Sequence, residues 1–347
     1  MYELMKSNNK ITIIAEAGVN HNGKMDLAHQ LIDIAAEAGA DFVKFQAFNA
    51  DRLVSKEARK AGYQIKNMDG GEDRQYEMLK NLEIDKAFHQ ELKDYSEKAG
   101  IGFLSSPFDV EGIEMLYDLG LRIFKVPSGE ITNLPYLKKL ASLDCQVILS
   151  TGMANLKEIH EALNILESQE LSRDKITVLH CNTDYPTRFE DVNLKAMNTI
   201  EEKMDVKVGY SDHTLGIEIP IAAAALGASV IEKHYTLDRT MDGPDHKASL
   251  EPEELKKMIE SIRNIKKALG TGIKEPSESE LKNKDIVRKS IHISRDLDAG
   301  HCITEDDLIM LRPGDGISPM EFEKVVGQDL SKRLAKGHKL NYSDIKF

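Results

Sequence analysis

The chain has 347 residues, longer than the usual single domain of about 100–200, and its 41% hydrophobic and 30% charged content is that of a soluble globular protein. A net charge of −12 argues against nucleic acid as a partner, because phosphate binding needs a basic face, though a pocket can be locally positive inside an acidic protein. The opening MYELMKSNNK lacks the apolar core of a signal peptide, no apolar run reaches the length of a membrane helix, and Cys145, Cys181 and Cys302 are scattered without metal-type spacing; reduced thiols in a cytoplasmic protein are expected.

From the N-terminus, ITIIAE (11–16) is the first short run of β-branched and apolar residues, the pattern of a buried strand. MDLAHQLIDIAAEAGA then places Leu27, Leu31, Ile34 and Ala35 on one helical face, and Gly39 stands where a glycine ends a helix. DFVKFQ (41–46), GFLSS (102–106), RIFKV (122–126), QVILS (146–150), ITVLH (176–180), VKVGY (206–210) and SVIEK (229–233) repeat the strand pattern. Helical periodicity fills most of the gaps, as in LKEIHEALNILES with Ile159, Leu163 and Leu166 on a stripe; Gly100 and Gly120 again precede strands. Strands alternating with helices predict parallel βαβ units, and eight of them in about 260 residues predict a (β/α)8 TIM barrel over residues 1–268. An open doubly wound sheet is the alternative, but no glycine-rich dinucleotide fingerprint follows the first strand.

Barrel enzymes carry their chemistry at the C-terminal ends of the strands. Here those ends offer Glu16, Asn20 and His21; Lys44 and Gln46; Ser105 and Ser106; Lys125 and Ser128; Ser150; His180 and Asn182; Ser211, Asp212 and His213; and Lys233 and His234. A lysine inside an apolar run, as in FVKFQ and FKVPSGE, is costly unless it meets an anion. Lys44 and Lys125, with hydroxyls from Ser106, Ser128 and Ser150 and glycines at 129 and 152 for close backbone approach, predict a cradle for a small phosphorylated or carboxylated substrate. A Schiff-base lysine is the rival reading.

His213 and His234 end adjacent strands beside Glu16, Asp212 and Asp245. They read either as a divalent-metal pair with open coordination positions or as hydrogen-bonded structural histidines. His21, His180 and His246 read as supporting residues, and Lys233 alternates away from His234 and is given no catalytic role. In MDGPDHKASLEPEEL (241–255), Ser249 is the expected N-cap of a helix whose first turn holds Glu251, Glu253 and Glu254. Residues 269–284, rich in Gly, Pro and Ser, read as a linker, and 285–347 as a small domain of short strands and turns too small to bury a large core alone.

Taken together, AEAGVNHNG, ADFVKFQ, SSPFD, FKVPSGEITNLPYL, ILSTGMA, LHCNTDYPT, GYSDHTLG, IEKHYTLD, GPDHKASLEP, RKSI and RPGDGISP resemble, in order and over almost the whole chain, the bacterial sialic acid synthases that make N-acetylneuraminate, legionaminate and pseudaminate. The resemblance implies a TIM barrel joined to a C-terminal antifreeze-like (SAF) domain, in a homodimer whose SAF domain reaches across to the partner's active site. It implies a transferase that condenses phosphoenolpyruvate with an N-acetylmannosamine-type sugar and releases phosphate, with a divalent metal, manganese before magnesium or cobalt. It further implies that His213 and His234 bind the metal and that Glu16 handles protons. Lys44, Ser106, Lys125, Ser128, Ser150, Asn182, Thr183 and Ser211 would hold phosphoenolpyruvate. Gln46, Glu130, Tyr185 and Asp245 would face the sugar, and Arg312 from the partner chain its N-acetyl group. Some members of the family read threonine then asparagine where this chain has Asn182 then Thr183, which leaves open which of the two meets phosphate. The expected product is N-acetylneuraminate or N,N'-diacetyllegionaminate; a pseudaminate synthase, a Schiff-base pyruvate aldolase and a non-catalytic carbohydrate-binding protein are the alternative functions.

Overall fold

The eight apolar runs form eight parallel strands in the computed structural model, which describes residues 10–67, 74–169 and 171–346. They are β1 (Thr12–Gly18), β2 (Phe42–Ala47), β3 (Gly102–Pro107), β4 (Ile123–Val126), β5 (Gln146–Ser150), β6 (Ile176–Cys181), β7 (Lys207–Asp212) and β8 (Val230–His234). Around the sheet they run β3-β2-β1-β8-β7-β6-β5-β4; β1 and β8 are hydrogen-bonded, and β3 and β4 lie side by side at the one seam without a ladder. The result is the nearly closed (β/α)8 barrel that the alternation of elements predicts. It belongs to the first of two compact units, Met1–Gly270; the second is Thr271–Phe347.

The pleat sends successive side chains to opposite faces, which sorts each strand into two sets. Ile13, Ala15, Val43, Phe45, Phe124, Val147, Leu149, Val178, Val208 and Ile231 point outward and pack against the helices in the main core. Inward, Ile14, Phe42, Leu104, Ile123, Ile148, Leu179 and Val230 form an apolar plug across the tube. Two residues further along six of those strands stand Glu16, Lys44, Ser106, Lys125, Ser150 and Glu232, all buried. The change from plug to polar layer happens within one step of the pleat, and it sets the floor of the site.

Side-chain caps fix where several helices begin. Asp85, Asp109, Asn133 and Asn155 accept from first-turn N–H groups of helices Lys86–Ala99, Val110–Asp118, Leu134–Ala141 and Leu156–Glu167. Ile159, Leu163 and Leu166 form the buried stripe expected of the last, and truncating the fully buried Leu163 to alanine would cost about 2–5 kcal/mol. The first helix, Met25–Glu37, buries Ala28, Leu31, Ile32 and Ala35, a face turned from the one that Leu27 and Ile34 suggested. Ser249 is not the cap of helix Pro252–Ala268: Glu251 is, in a reciprocal box with Glu254, because Pro252 at the first helical position sets the start later.

In the second unit the expected linker, 269–284, turns helical at Glu278. Ser277 and Glu280 cap a helix over Glu278–Val287 that buries none of its side chains, so no apolar stripe marks it in the sequence. Antiparallel pairs follow: β9 (Ser290–Ile293) with β10 (Leu308–Leu311), and β11 (Asp329–Leu330) with β12 (Ile345–Lys346). The unit is an internal repeat. Ser294, Leu297, Gly300, His301 and Asp307 recur thirty-seven places later as Ser331, Leu334, Gly337, His338 and Asp344. Asp307 accepts from His301 and Thr304, and Asp344 from His338 and Asn341. Gly300 N–H bonds the Leu330 carbonyl and Gly337 N–H the Ile293 carbonyl, so the copies interlock around one core.

Candidate active site

A cavity of about 450 Å³ opens at the C-terminal mouth of the barrel. On its floor Lys44 Nζ lies 2.7 Å from Glu16 Oε2 and 3.7 Å from Glu232 Oε1, and Lys125 Nζ lies 3.5 Å from that same Glu232 oxygen. None of the four side chains is more than 5% exposed. Burial raises the Glu16 carboxyl above its usual range, against the pull of Lys44. Burial acts on Glu232 too, but Lys125 and Lys44 outweigh it and hold that carboxyl low. Burial lowers the Lys125 ammonium, with Glu232 opposing. Two ammonium groups facing two carboxylates compensate each other in this dry floor, and an anion entering it would compete for the lysines.

Hydroxyls complete the floor. Lys44 donates to Ser106 Oγ at 3.0 Å, and Ser211 Oγ donates to Glu232 at 3.0 Å. Ser128 Oγ accepts from Gly152 N–H at 2.9 Å and lies 3.3 Å from Cys181 Sγ. A Cβ on Gly152 would sit 2.5 Å from Thr183 Cγ2 and 2.8 Å from Ser128 Oγ, so only glycine lets both hydroxyl-bearing residues close on the cavity. Ser150 Oγ, Glu232 Oε2 and His234 Nδ1 are buried with no hydrogen-bond partner among the described residues. Unpaired buried polar atoms are costly in an empty site and useful in one built around a ligand.

Above the floor His213 and His234 stand with ring centroids 5.5 Å apart. His213 Nδ1 lies 2.5 Å from the Asn182 carbonyl, which can only accept, so Nδ1 carries the proton and the Nε2 lone pair is free. Burial pushes His213 down to about 3 and His234 well below its usual value, leaving both imidazoles neutral. Asp245 Oδ2 lies 3.8 Å from His234 Nδ1, and burial raises its carboxyl to about 6. Two neutral imidazoles, one with an unpartnered nitrogen and a carboxylate beside it, fit a divalent ion that keeps open positions, although no group of three or more ligating side chains gathers among the described residues.

The Tyr185 ring lies over His213 at 4.0 Å and meets the edge of His234 at 5.7 Å. Gln46 Nε2 lies 3.4 Å from Glu16 Oε1, and half-buried Glu130 accepts from Asn133 at 2.6 Å. The far wall is apolar, with Val19, Phe48, Leu53, Met78, Leu82 and Phe108 from the segments after β1, β2 and β3. Asn67 donates to the carbonyls of Tyr185 and Pro244 and ties that wall to the loops carrying Tyr185 and Asp245.

Most of the residues nominated from sequence line this cavity: Glu16, Lys44, Gln46, Ser106, Lys125, Ser128, Glu130, Ser150, Thr183, Tyr185, Ser211, His213, His234 and Asp245. Asn182 does not; its amide turns away to the Asp191 carbonyl at 2.8 Å, leaving Thr183 on the cavity. Asp212, considered beside the histidines, faces outward instead, 2.6 Å from Lys233 Nζ with both side chains fully buried. His21, His180 and His246 stay outside the lining, bonded to Gly23 N–H, the Val192 carbonyl and Thr236. Arg312 is exposed in the second unit, just after β10. Glu232 was missed, although it lies two places before His234 and so shares its face.

The NeuB family model matches residues 31–274, and the SAF domain model matches 288–346. The chain belongs to the NeuB family. Among its NeuB relatives, the N,N'-diacetyllegionaminic acid synthase of Campylobacter jejuni is 55% identical over 93% of this chain and 96% of the relative. The enzyme of the same name from Legionella pneumophila is 48% identical over 96% of this chain and 94% of the relative. A solved structure of N-acetylneuraminic acid (sialic acid) synthetase from Leptospira borgpetersenii, in complex with citrate, superposes with a TM-score of 0.71 at 39% identity, covering 80% of this chain and 90% of that one. No helix among the described residues of this NeuB protein is long and apolar enough to cross a membrane.

Proposed function

We propose that this NeuB-family protein is an N,N'-diacetyllegionaminate synthase, joining phosphoenolpyruvate to a 2,4-diacetamido-2,4,6-trideoxy sugar with release of phosphate. The observation that carries the reading is the floor, where the buried Lys44 and Lys125 share one cavity with the hydroxyls of Ser106, Ser128, Ser150, Thr183 and Ser211. A carboxylated enol phosphate offers charges and acceptors for all of them. The apolar wall supports the choice of sugar: acetamido methyls and a 6-methyl group suit Val19, Phe48, Leu53 and Met78 better than the hydroxyls of N-acetylmannosamine would.

In the reaction, carbon 3 of phosphoenolpyruvate bonds to the aldehyde carbon of the open-chain sugar, whose oxygen takes up a proton. Water adds to carbon 2, and phosphate leaves with cleavage of its C–O bond, giving the 2-keto acid. Lys44 and Lys125 hold the carboxylate and phosphate charge. Glu16, whose carboxyl keeps its proton above the usual range, donates at the aldehyde oxygen. Gln46, Glu130, Tyr185 and Asp245 orient the sugar against the wall. His213 and His234 would hold a divalent metal, manganese before magnesium or cobalt, which supplies Lewis acidity when bound.

Lys125, lowered by burial, has one property of a Schiff-base amine, but Glu232 at 3.5 Å favours its protonated form. Borohydride trapping of a lysine adduct with pyruvate would overturn the synthase reading. A coupled phosphate-release assay tests it directly. Turnover with the diacetamido sugar above that with N-acetylmannosamine is expected; faster release with N-acetylmannosamine or with the pseudaminate precursor would sink the assignment. The homodimer with Arg312 serving the partner's site is part of the proposal. Mixed dimers of Arg312→Ala and His234→Ala chains should regain activity that neither variant has alone. The free cysteines support a cytoplasmic setting.

A further inference from the structure

The opposite, N-terminal mouth of the barrel holds a second cavity of about 350 Å³, within the range of about 300–1,000 Å³ usual for small-molecule sites. Its inner walls are the inward-facing residues on the other side of the plug: Thr12 two places before Ile14, Gln146 before Ile148, Thr177 before Leu179, and Lys207 at the start of β7. Lys10, Lys175 and Lys266 also line it. Four lysines against one lining acid, Asp174, give it the opposite sign to the chain as a whole.

Two of the lysines are compensated: Lys10 pairs with Asp41, and Lys175 Nζ lies 2.8 Å from Asp144. Lys207 and Lys266 have no carboxylate within ion-pair distance among the described residues. Thr12 and Thr177 are only 7% and 8% exposed, yet neither hydroxyl has a hydrogen-bond partner among the described residues. Here two ammonium groups without an ion pair and two unpartnered threonine hydroxyls open on one space, where Asp174, near Lys207 and Lys175, is the one lining acid.

We propose that this cavity binds a compact phosphate-bearing anion, with Lys207 and Lys266 supplying charge and Thr12 and Thr177 donating hydrogen bonds. The site is separate from the catalytic cavity, because the apolar plug closes the tube between them. It stands whether or not the synthase reading does.

Site-resolved lysine acetylation followed by mass spectrometry tests it on the full chain, with pyrophosphate as one probe and ATP as the other. At four times the dissociation constant the free fraction falls about fivefold, so acetylation of Lys207 and Lys266 should slow about fivefold while exposed Lys157 is unaffected. Stronger protection by pyrophosphate assigns a free phosphate anion, and stronger protection by ATP a nucleotide; both support the site. Lys207→Ala should keep the wild-type melting temperature and lose the protection of Lys266, and Lys266→Ala should lose that of Lys207. Slowing of all surface lysines alike, or none at Lys207 at millimolar concentrations of either probe, overturns the proposal.

Discussion

The Lys44 ammonium lies 2.7 Å from the Glu16 carboxylate, and neither side chain is more than 3% exposed. Removing one partner of such a pair leaves an uncompensated buried charge, and here Glu232 would be partly stranded as well. Lys44→Ala should therefore destabilise the protein by about 3–5 kcal/mol in urea titration, as well as abolish phosphate release. Glu16→Gln removes the opposite charge and leaves Lys44 beside Glu232, so a smaller loss of stability with a comparable loss of turnover is expected. Equal stability for wild type and Lys44→Ala would contradict this picture.

Gly152 is a steric test of the floor. Its alanine variant forces a Cβ to 2.5 Å from Thr183 and 2.8 Å from Ser128. Overpacking of this kind costs about 1–3 kcal/mol, and placed against the phosphate pocket it should raise KM for phosphoenolpyruvate about 5- to 150-fold. Steady-state kinetics with the sugar held saturating would read it. An unchanged KM would mean that Thr183 and Ser128 do not bind this substrate.

The histidine pair makes its own prediction. Chelation should abolish phosphate release and added manganese should restore it. Electron paramagnetic resonance should find the wild type binding manganese and the His213→Ala and His234→Ala variants binding it far more weakly. Full turnover after chelation would remove the metal from the mechanism.

Asp307 ties acid stability to the second unit. Burial opposes its charge, but donors from His301, Thr304 and Arg295 outweigh burial and hold its carboxyl well below the usual range. A native value below the unfolded one means that the stabilisation is fully present above about pH 4, the unfolded value, and is lost as pH falls through the native value. Asp307→Asn should speed hydrogen exchange across β9 and β10 at pH 7 and flatten the acid dependence below pH 4. Wild-type exchange in the variant would show that the carboxylate is not holding the turn.

The barrel was legible because its strands are buried on both faces and read as continuous apolar runs. Their polar ends were legible because a lysine among apolar residues demands a partner. Which face a given residue takes depends on register rather than composition. Asp212 and Glu232 are both acids near a strand end, yet the pleat sends the first out to Lys233 and the second in to Lys44 and Lys125. Counting by twos from His234 on β8 turns Glu232 inward, and counting from Val208 and Tyr210 on β7 turns Asp212 outward; judging residue type alone does not separate them. Asn182 turned out because the Asp191 carbonyl needed a donor, a tertiary fact with no local signal. The apolar wall comes from segments after three different strands, so only folding brings it together.

The thirty-seven-residue repeat in the second unit has a consequence for how that unit is made. Beside the bonds each copy makes within itself, the two are tied to each other through Gly300 to Leu330 and Gly337 to Ile293, around one shared core. On a ribosome the β9–β10 hairpin can pair first, but Gly300 and Ile293 lack their partners until Leu330 and Gly337 have emerged, so the shared core condenses late. A premature stop between the copies would leave a hairpin whose apolar face has lost half its core, an aggregation-prone remnant rather than a smaller working domain.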